Sequence, residues 1–274
     1  MKKLLSILLV AVMIFSMFSA TTVVTQAKDN TPSTATQAGF ATSITEFFET
    51  LFQSIDDFFA DLFGAGKNLP DVSEWTDEQI IEYYKEAAAR THDTAVTKES
   101  SVLKYAEMGD DDYSDLFETV LISSWDNSTY VAEGISGNYE KLEAADCSSI
   151  DAYKKGRYIV VELSFNDHSD SFKEDVFRNP ISHGISIVED KNEVLDAMGE
   201  DFTLDLSEGD IVLKYTNAKI TVRIDGDGYI KKGTWKYDMA LIIENVSLLF
   251  DGMEIPMKHS EAGFTQIAKV GSMF

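Results

Sequence analysis

The stretch from Asp210 to Ile255, DIVLKYTNAKITVRIDGDGYIKKGTWKYDMALIIENVSLLFDGMEI, decides the fold. Side chains alternate between the two faces of a strand, so residues two apart share a face. Ile220, Val222 and Ile224 form one such row, and Trp235, Tyr237, Met239, Leu241 and Ile243 form another. Asn, Asp and Gly suit the backbone of tight turns. That chemistry places turns at Thr216-Asn217, at Asp225-Gly226-Asp227-Gly228 and at Asp251-Gly252. Apolar rows separated by turns predict an antiparallel meander.

Upstream, SSIDAYKKGRYIVVELSF (Ser148 to Phe165) has the same period. It predicts two strands joined by a turn at Lys154 to Gly156, with Ile159, Val161 and Leu163 on one face. NEVLDAM, from Asn192, reads as a short helix, and YSDLFETVLISSW, from Tyr113, as another. The helix with the best-defined start is WTDEQIIEYYKEAAAR, from Trp75 to Arg90. Thr76 is its N-cap and Gln79, three residues on, completes a capping box, while Trp75 and Ile80 hold the two positions of a hydrophobic staple. Its apolar stripe, Ile80, Ile81, Tyr84, Ala87 and Ala88, is narrow and partly made of small residues, which lets a helix lie close on a sheet. Helices that precede a run of strands define an α+β class: a curved antiparallel sheet with N-terminal helices packed on one face.

The N-terminal quarter has a different character. Residues 1–27 carry Lys2 and Lys3, then an apolar run from Leu4 to Phe18, then a polar end at Thr25-Gln26-Ala27, the layout of a secretory signal peptide. Residues 28–41, rich in Thr, Ser, Ala and Gln, read as a flexible spacer. Residues 42–64 then hold FFETLFQSIDDFFADLFG, whose phenylalanines and leucines recur at helical spacing opposite Glu46, Glu49, Asp56, Asp57 and Asp61. Ten apolar side chains on one helical face, each worth about 1.5–3 kcal/mol on burial, demand cover. That cover can be the helix's own domain, a second copy or a partner's groove; for the last two, Phe48, Phe52 and Phe59 are the candidate partner-docking residues. A membrane interface suits this helix less well, because interfacial helices usually carry Lys and Arg on their polar face. The remainder, 70–274, is long enough for a single α+β domain.

Charge narrows the partners. The net charge of −24 becomes −26 once Lys2 and Lys3 leave with the leader. Nucleic acid is not expected as a partner, since phosphate binding needs basic clusters. A single cysteine, Cys147, allows no disulfide within the chain and reads as a small half-buried side chain. Asp110, Asp111, Asp112 and Asp115 lie close enough in sequence to hold a hard cation loosely, but adjacent acids with no glycine turn more often form a solvated loop. Asp225 to Ile230 resembles the middle of a calcium loop, yet the register that puts Gly228 sixth puts Arg223 first and Thr234 twelfth, so it reads as a hairpin. His92, His168, His183 and His259 are isolated in sequence, and no zinc spacing links them. His168, in NDHSD, lies between two acids and is expected in a surface loop. No metal site, cofactor motif or catalytic residue is assigned.

Taken together, the capped WTDEQIIEYYKEAAAR helix, the LEAADCSSIDAYKKGRYIVVELSF segment and YTNAKITVRIDGDGYIKKGTWKYDMALIIENVSL resemble exported proteins of clostridia-like Gram-positive bacteria that carry a Phe-rich amphipathic helix after the leader. The resemblance implies an extracellular or envelope-associated location and brings no catalytic residue with it. The functional expectation is an exported, non-enzymatic binding or envelope-associated protein. In it an apolar or lipid-like small molecule lies between sheet and helix, against Trp235, Tyr237, Met239 and Leu241. The alternative is a secreted hydrolase that uses a carboxylate pair on polysaccharide or peptide.

Overall fold

The computed structural model describes residues 69–108, 129–174, 176–192, 202–250 and 253–271. The leader (1–27), the spacer (28–41), the Phe-rich helix (42–64) with Phe48, Phe52 and Phe59, the acids Asp110 to Asp115, the helix read from Tyr113, and residues 193–198 of NEVLDAM lie outside the described residues.

The described chain opens with one α-helix, α1 (Asp77–His92), and continues through β1 (Val96–Met108), β2 (Thr129–Glu133), β3 (Cys147–Lys155), β4 (Tyr158–Phe165), β5 (His168–Ser171), β6 (Phe202–Asp205), β7 (Asp210–Ile224), β8 (Ile230–Phe250) and β9 (Met253–Gly271). All nine strands join one antiparallel sheet in the order β2-β1-β9-β8-β7-β4-β3, with β5 pairing β7 and β6 pairing β8. The expected α+β architecture is therefore present: an open, curved antiparallel sheet whose β7-β8-β9 core is a meander, with α1 packed on one face.

Local chemistry sets α1. The Thr76 side chain accepts from the Gln79 backbone N–H at 3.4 Å, while the Gln79 side chain accepts from the Thr76 N–H at 2.9 Å. Ile80, Ile81, Tyr84, Ala87 and Ala88 are all buried, as the stripe predicted, and Thr91 joins them. The Trp75 ring stands edge-on to Tyr83 at 4.9 Å. At the centre of the joint, the buried Trp235 Nε1–H donates to the Tyr84 hydroxyl at 3.0 Å. Gly233 makes room for this indole: a Cβ there would run into the Trp235 ring.

The helix end is tied to the β7-β8 turn as well. Thr91 Oγ1 accepts from the Ile230 N–H at 2.9 Å, and Arg90 donates to the Asp227 carbonyl at 3.2 Å. The turn itself is the hairpin expected at Asp225 to Gly228. The Asp225 carboxylate accepts from the N–H groups of Asp227 and Tyr229, both at 3.0 Å, and pairs with Lys231, so its oxygens are spent on the loop. The turn at Lys154 to Gly156 is present too, displaced by a residue: Lys155 pairs with Tyr158 across Gly156-Arg157.

Two expectations are corrected. Thr216-Asn217 is not a turn; β7 runs straight through it as a β-bulge, with Asn217 left-handed at φ 54°. The physical reason lies in the alternation. Before the bulge the buried apolar residues are Ile211, Leu213 and Tyr215; after it they are Ala218, Ile220, Val222 and Ile224. The phase flips from odd to even, and one extra residue keeps both halves facing the core. A bulge corrects phase, whereas a turn would reverse the chain. His168 is the second correction: it begins β5 and pairs in register with Tyr215, instead of lying in a surface loop.

Candidate functional site

α1 ends at His92, and the chain turns at once into β1. The segment that follows β2, Gly134 to Asn138, folds back over this junction as a strap. Gly134 N–H donates to the Ala95 carbonyl at 3.0 Å, Thr97 Oγ1 donates to the Gly134 carbonyl at 2.5 Å, and Ile135 N–H donates to His92 Nδ1 at 3.2 Å. Gly134 has φ 87°, and a Cβ there would strike the His92 ring, so the close pass needs glycine on both counts. On its far side the strap is held by the next loop. Gly137 N–H donates to Ser186 Oγ at 2.9 Å, Ser186 N–H donates to Ser136 Oγ at 3.0 Å, and Asn138 N–H donates to the Ser182 carbonyl at 3.1 Å.

Between strap and sheet lies a cleft of about 710 Å³. Its floor is the sheet: Thr97 and Glu99 of β1, Tyr237 and Met239 of β8, and Gln266 of β9. Its rim is the strap, Tyr139, Glu140 and the Ser186 to Glu189 loop, and His92 closes one end. The Tyr237 ring leans on Tyr215 at 5.6 Å, and Tyr139 lies 5.8 Å from the His92 ring. A second hollow of about 500 Å³, bounded by Lys141, Phe177, Arg178 and His183, shares Val188 and Glu189 with the cleft.

Of the four residues expected to face a ligand, the structure brings two to the cleft. Tyr237 and Met239 line it; Trp235 is roofed by α1, and Leu241 is buried in the core between its cross-strand neighbours Leu213 and Ala262. The four share a face, but six residues of strand span about 20 Å, and different elements cover different parts of that length. The expected roof also changes: the strap covers the cleft, and the helix contributes only its last residue.

Residues that sequence reasoning passed over are Glu99, Gln266 and the strap. Burial holds the Glu99 carboxyl above its ordinary 4.5. Burial, and then the Glu99 charge, push the Tyr237 phenol up as well. Tyr139 moves the same way, by burial first and then by Glu140 and Asp93. Glu133, Glu140 and Glu189 are exposed on the rim.

Two other histidines and a buried acid are engaged elsewhere. His183 Nδ1 meets Asp146 at 2.8 Å, and His259 Nδ1 meets Glu244 at 2.7 Å. Asp170 is buried and accepts from Asn179 Nδ2 at 2.9 Å, and its carboxyl is raised chiefly by that burial. Cys147 is half-buried, as its context suggested, and desolvation pushes its thiol up to about 12, far from a reactive thiolate. Among the described residues no three His, Cys, Asp or Glu side chains gather as metal ligands, and no helix is long and apolar enough to cross a membrane. No protein-family model, curated protein or solved structure matches the chain, so its function is argued from this cleft.

Proposed function

We propose that this chain is an exported, non-enzymatic binding protein that holds a small molecule with an apolar body in the cleft between the strap and the sheet. The observation that carries the reading is the cleft itself. About 710 Å³ falls within the roughly 300–1,000 Å³ of small-molecule sites, and such sites combine apolar walls with a few placed polar groups. Here Tyr237, Met239, Ile135 and Val188 supply the walls, while Glu99 and Gln266 supply the polar groups. The strap is pinned by hydrogen bonds on both sides, so the site is largely preformed.

The leader-like residues 1–27 support export, and the Phe-rich segment supplies the contact with an envelope partner in this reading. A hydrolase would need two facing carboxylates. The cleft offers one partly dehydrated acid, Glu99, with its other glutamates exposed on the rim, an arrangement closer to a binder.

Native mass spectrometry of the chain secreted by its own cells, beside a Met239→Trp variant that fills the cleft, tests the reading. The parent is expected to carry a small-molecule adduct that the variant lacks, and to bind the uncharged fluorophore N-phenyl-1-naphthylamine. An adduct-free parent that also ignores the fluorophore refutes it.

A further inference from the structure

The chemistry of the cleft floor names the ligand class, and this step rests on the binding reading above. Tyr237 is only 7% exposed, and its hydroxyl has no hydrogen-bond partner among the described residues. Tyr237 lines the cleft, where a donor on a bound molecule can meet that oxygen. Glu99, on the neighbouring part of the floor, has neither a hydrogen bond nor a cation paired with it among the described residues. Gln266 donates through Nε2 to Ser101 Oγ at 2.8 Å, which leaves its carbonyl oxygen as the open end. These three converge by register. Ser101, Gln266 and Tyr237 form one row across β1, β9 and β8, and Glu99, Ala268 and Trp235 form the next row on the same face.

What the floor presents is thus a set of acceptors: a carboxylate, an amide carbonyl and a phenol oxygen. Among the described residues no Lys or Arg lines the cleft, and Glu133, Glu140 and Glu189 add three further negative charges. His92 turns its Nδ1 to the Ile135 N–H, so that nitrogen is taken up by the strap. A low-dielectric floor with unpaired negative charge strongly favours a cation that can donate. Tyr237 and Tyr139 add ring faces, which attract cations further.

We infer that the cleft takes a small organic cation, a primary ammonium on an apolar body, with the ammonium seated against Glu99 and the body along Met239 and Tyr237. Three N–H donors on one ammonium match three acceptor oxygens on the floor. An alcohol could meet one of them, and a carboxylate would be repelled.

The test is isothermal titration calorimetry of the full secreted chain with hexylammonium, hexanol and hexanoate, alongside N-phenyl-1-naphthylamine. Hexylammonium is expected to bind, hexanol far more weakly and hexanoate not at all. Glu99→Gln should weaken hexylammonium about ten- to hundredfold, and Tyr237→Phe about three- to tenfold, the ranges for losing a charge-assisted and a neutral hydrogen bond. Glu99→Gln keeps the side-chain shape, and an unchanged circular dichroism spectrum shows that it has folded. Equal binding of hexylammonium by Glu99→Gln and the parent overturns the assignment, since it means only diffuse attraction to an acidic protein. If hexanol and hexanoate bind as well as hexylammonium, the cation is wrong while the binding cleft stands. If neither the amphiphiles nor the fluorophore bind, both readings fall.

Discussion

Removing one hydroxyl, in Tyr84→Phe, tests how the helix is joined to the sheet. Trp235 and Tyr84 are both 0% exposed, and the 3.0 Å bond from the indole N–H to the Tyr84 hydroxyl crosses the interface between α1 and β8. The phenyl ring stays, so little packing is lost. The indole N–H, however, is left buried with no acceptor, at a cost of about 1–3 kcal/mol. For a domain of about 200 residues each kcal/mol moves the melting temperature by about 2–4 °C, so a loss near 2 kcal/mol lowers it by about 4–8 °C. Urea unfolding followed by circular dichroism measures this without relying on Trp235 as reporter. Trp235→Phe and the double variant complete a cycle. Once the indole N–H is gone the hydroxyl has nothing to accept, so the second substitution should cost less than the first pair of losses added, with a coupling above about 0.5 kcal/mol. A Tyr84→Phe protein within about 0.5 kcal/mol of the parent, or a strictly additive cycle, would refute the claim that this bond anchors the helix. Because α1 places His92 under the strap, weaker anchoring should also weaken hexylammonium binding.

Glu99→Gln should change the dependence of stability on pH. Burial raises the folded carboxyl above its ordinary 4.5, so ionising it costs the fold stability. Its contribution is fully present below 4.5 and is lost as pH rises through the elevated folded value. The glutamine variant should therefore match the parent in acid and become the more stable of the two towards neutrality; a stability difference independent of pH would count against it. Asn217→Val should destabilise by about 1–2 kcal/mol, because a β-branched residue pays for the left-handed φ of 54°. Asn217→Gly should be nearly neutral in the same urea titration, and equal losses in both would mean the bulge is not what sets the cost.

The parts of the fold legible in the sequence are those written in neighbouring residues. Thr76 and Gln79 close a capping box within one turn, so α1 could be bounded before any partner was known. The rows Ile220-Val222-Ile224 and Trp235-to-Ile243 alternate strictly, and every member is buried. β1 gave no such signal. In VTKESSVLKYAEM, Thr97, Glu99 and Ser101 occupy the inward positions, and polar inward residues look like the outside of a strand. In β9 the sequence signal ends at Ile255, because beyond it the inward positions Ser260, Ala262, Gln266 and Ala268 are small or polar, with Phe264 and Val270 the large exceptions. Both strands exist because each pairs with a neighbour: β1 with β9 over Thr97 to Met108, and β9 with β8 along nearly its whole length.

What the sequence determined by itself is local: the capped helix, the alternating strands of the meander, the Asp225 hairpin, and an acidic composition set by 47 Asp and Glu against 23 Lys and Arg. The cleft belongs to the tertiary structure alone. It gathers Glu99, Gly134, Ser186, Tyr237 and Gln266, separated by up to 167 positions, through strand register and a strap held by backbone hydrogen bonds. Hydrophobic period fixes which way a side chain points, and that is a property of adjacent residues. Which oxygens meet in one hollow depends on how distant strands line up, and only the folded sheet sets that alignment.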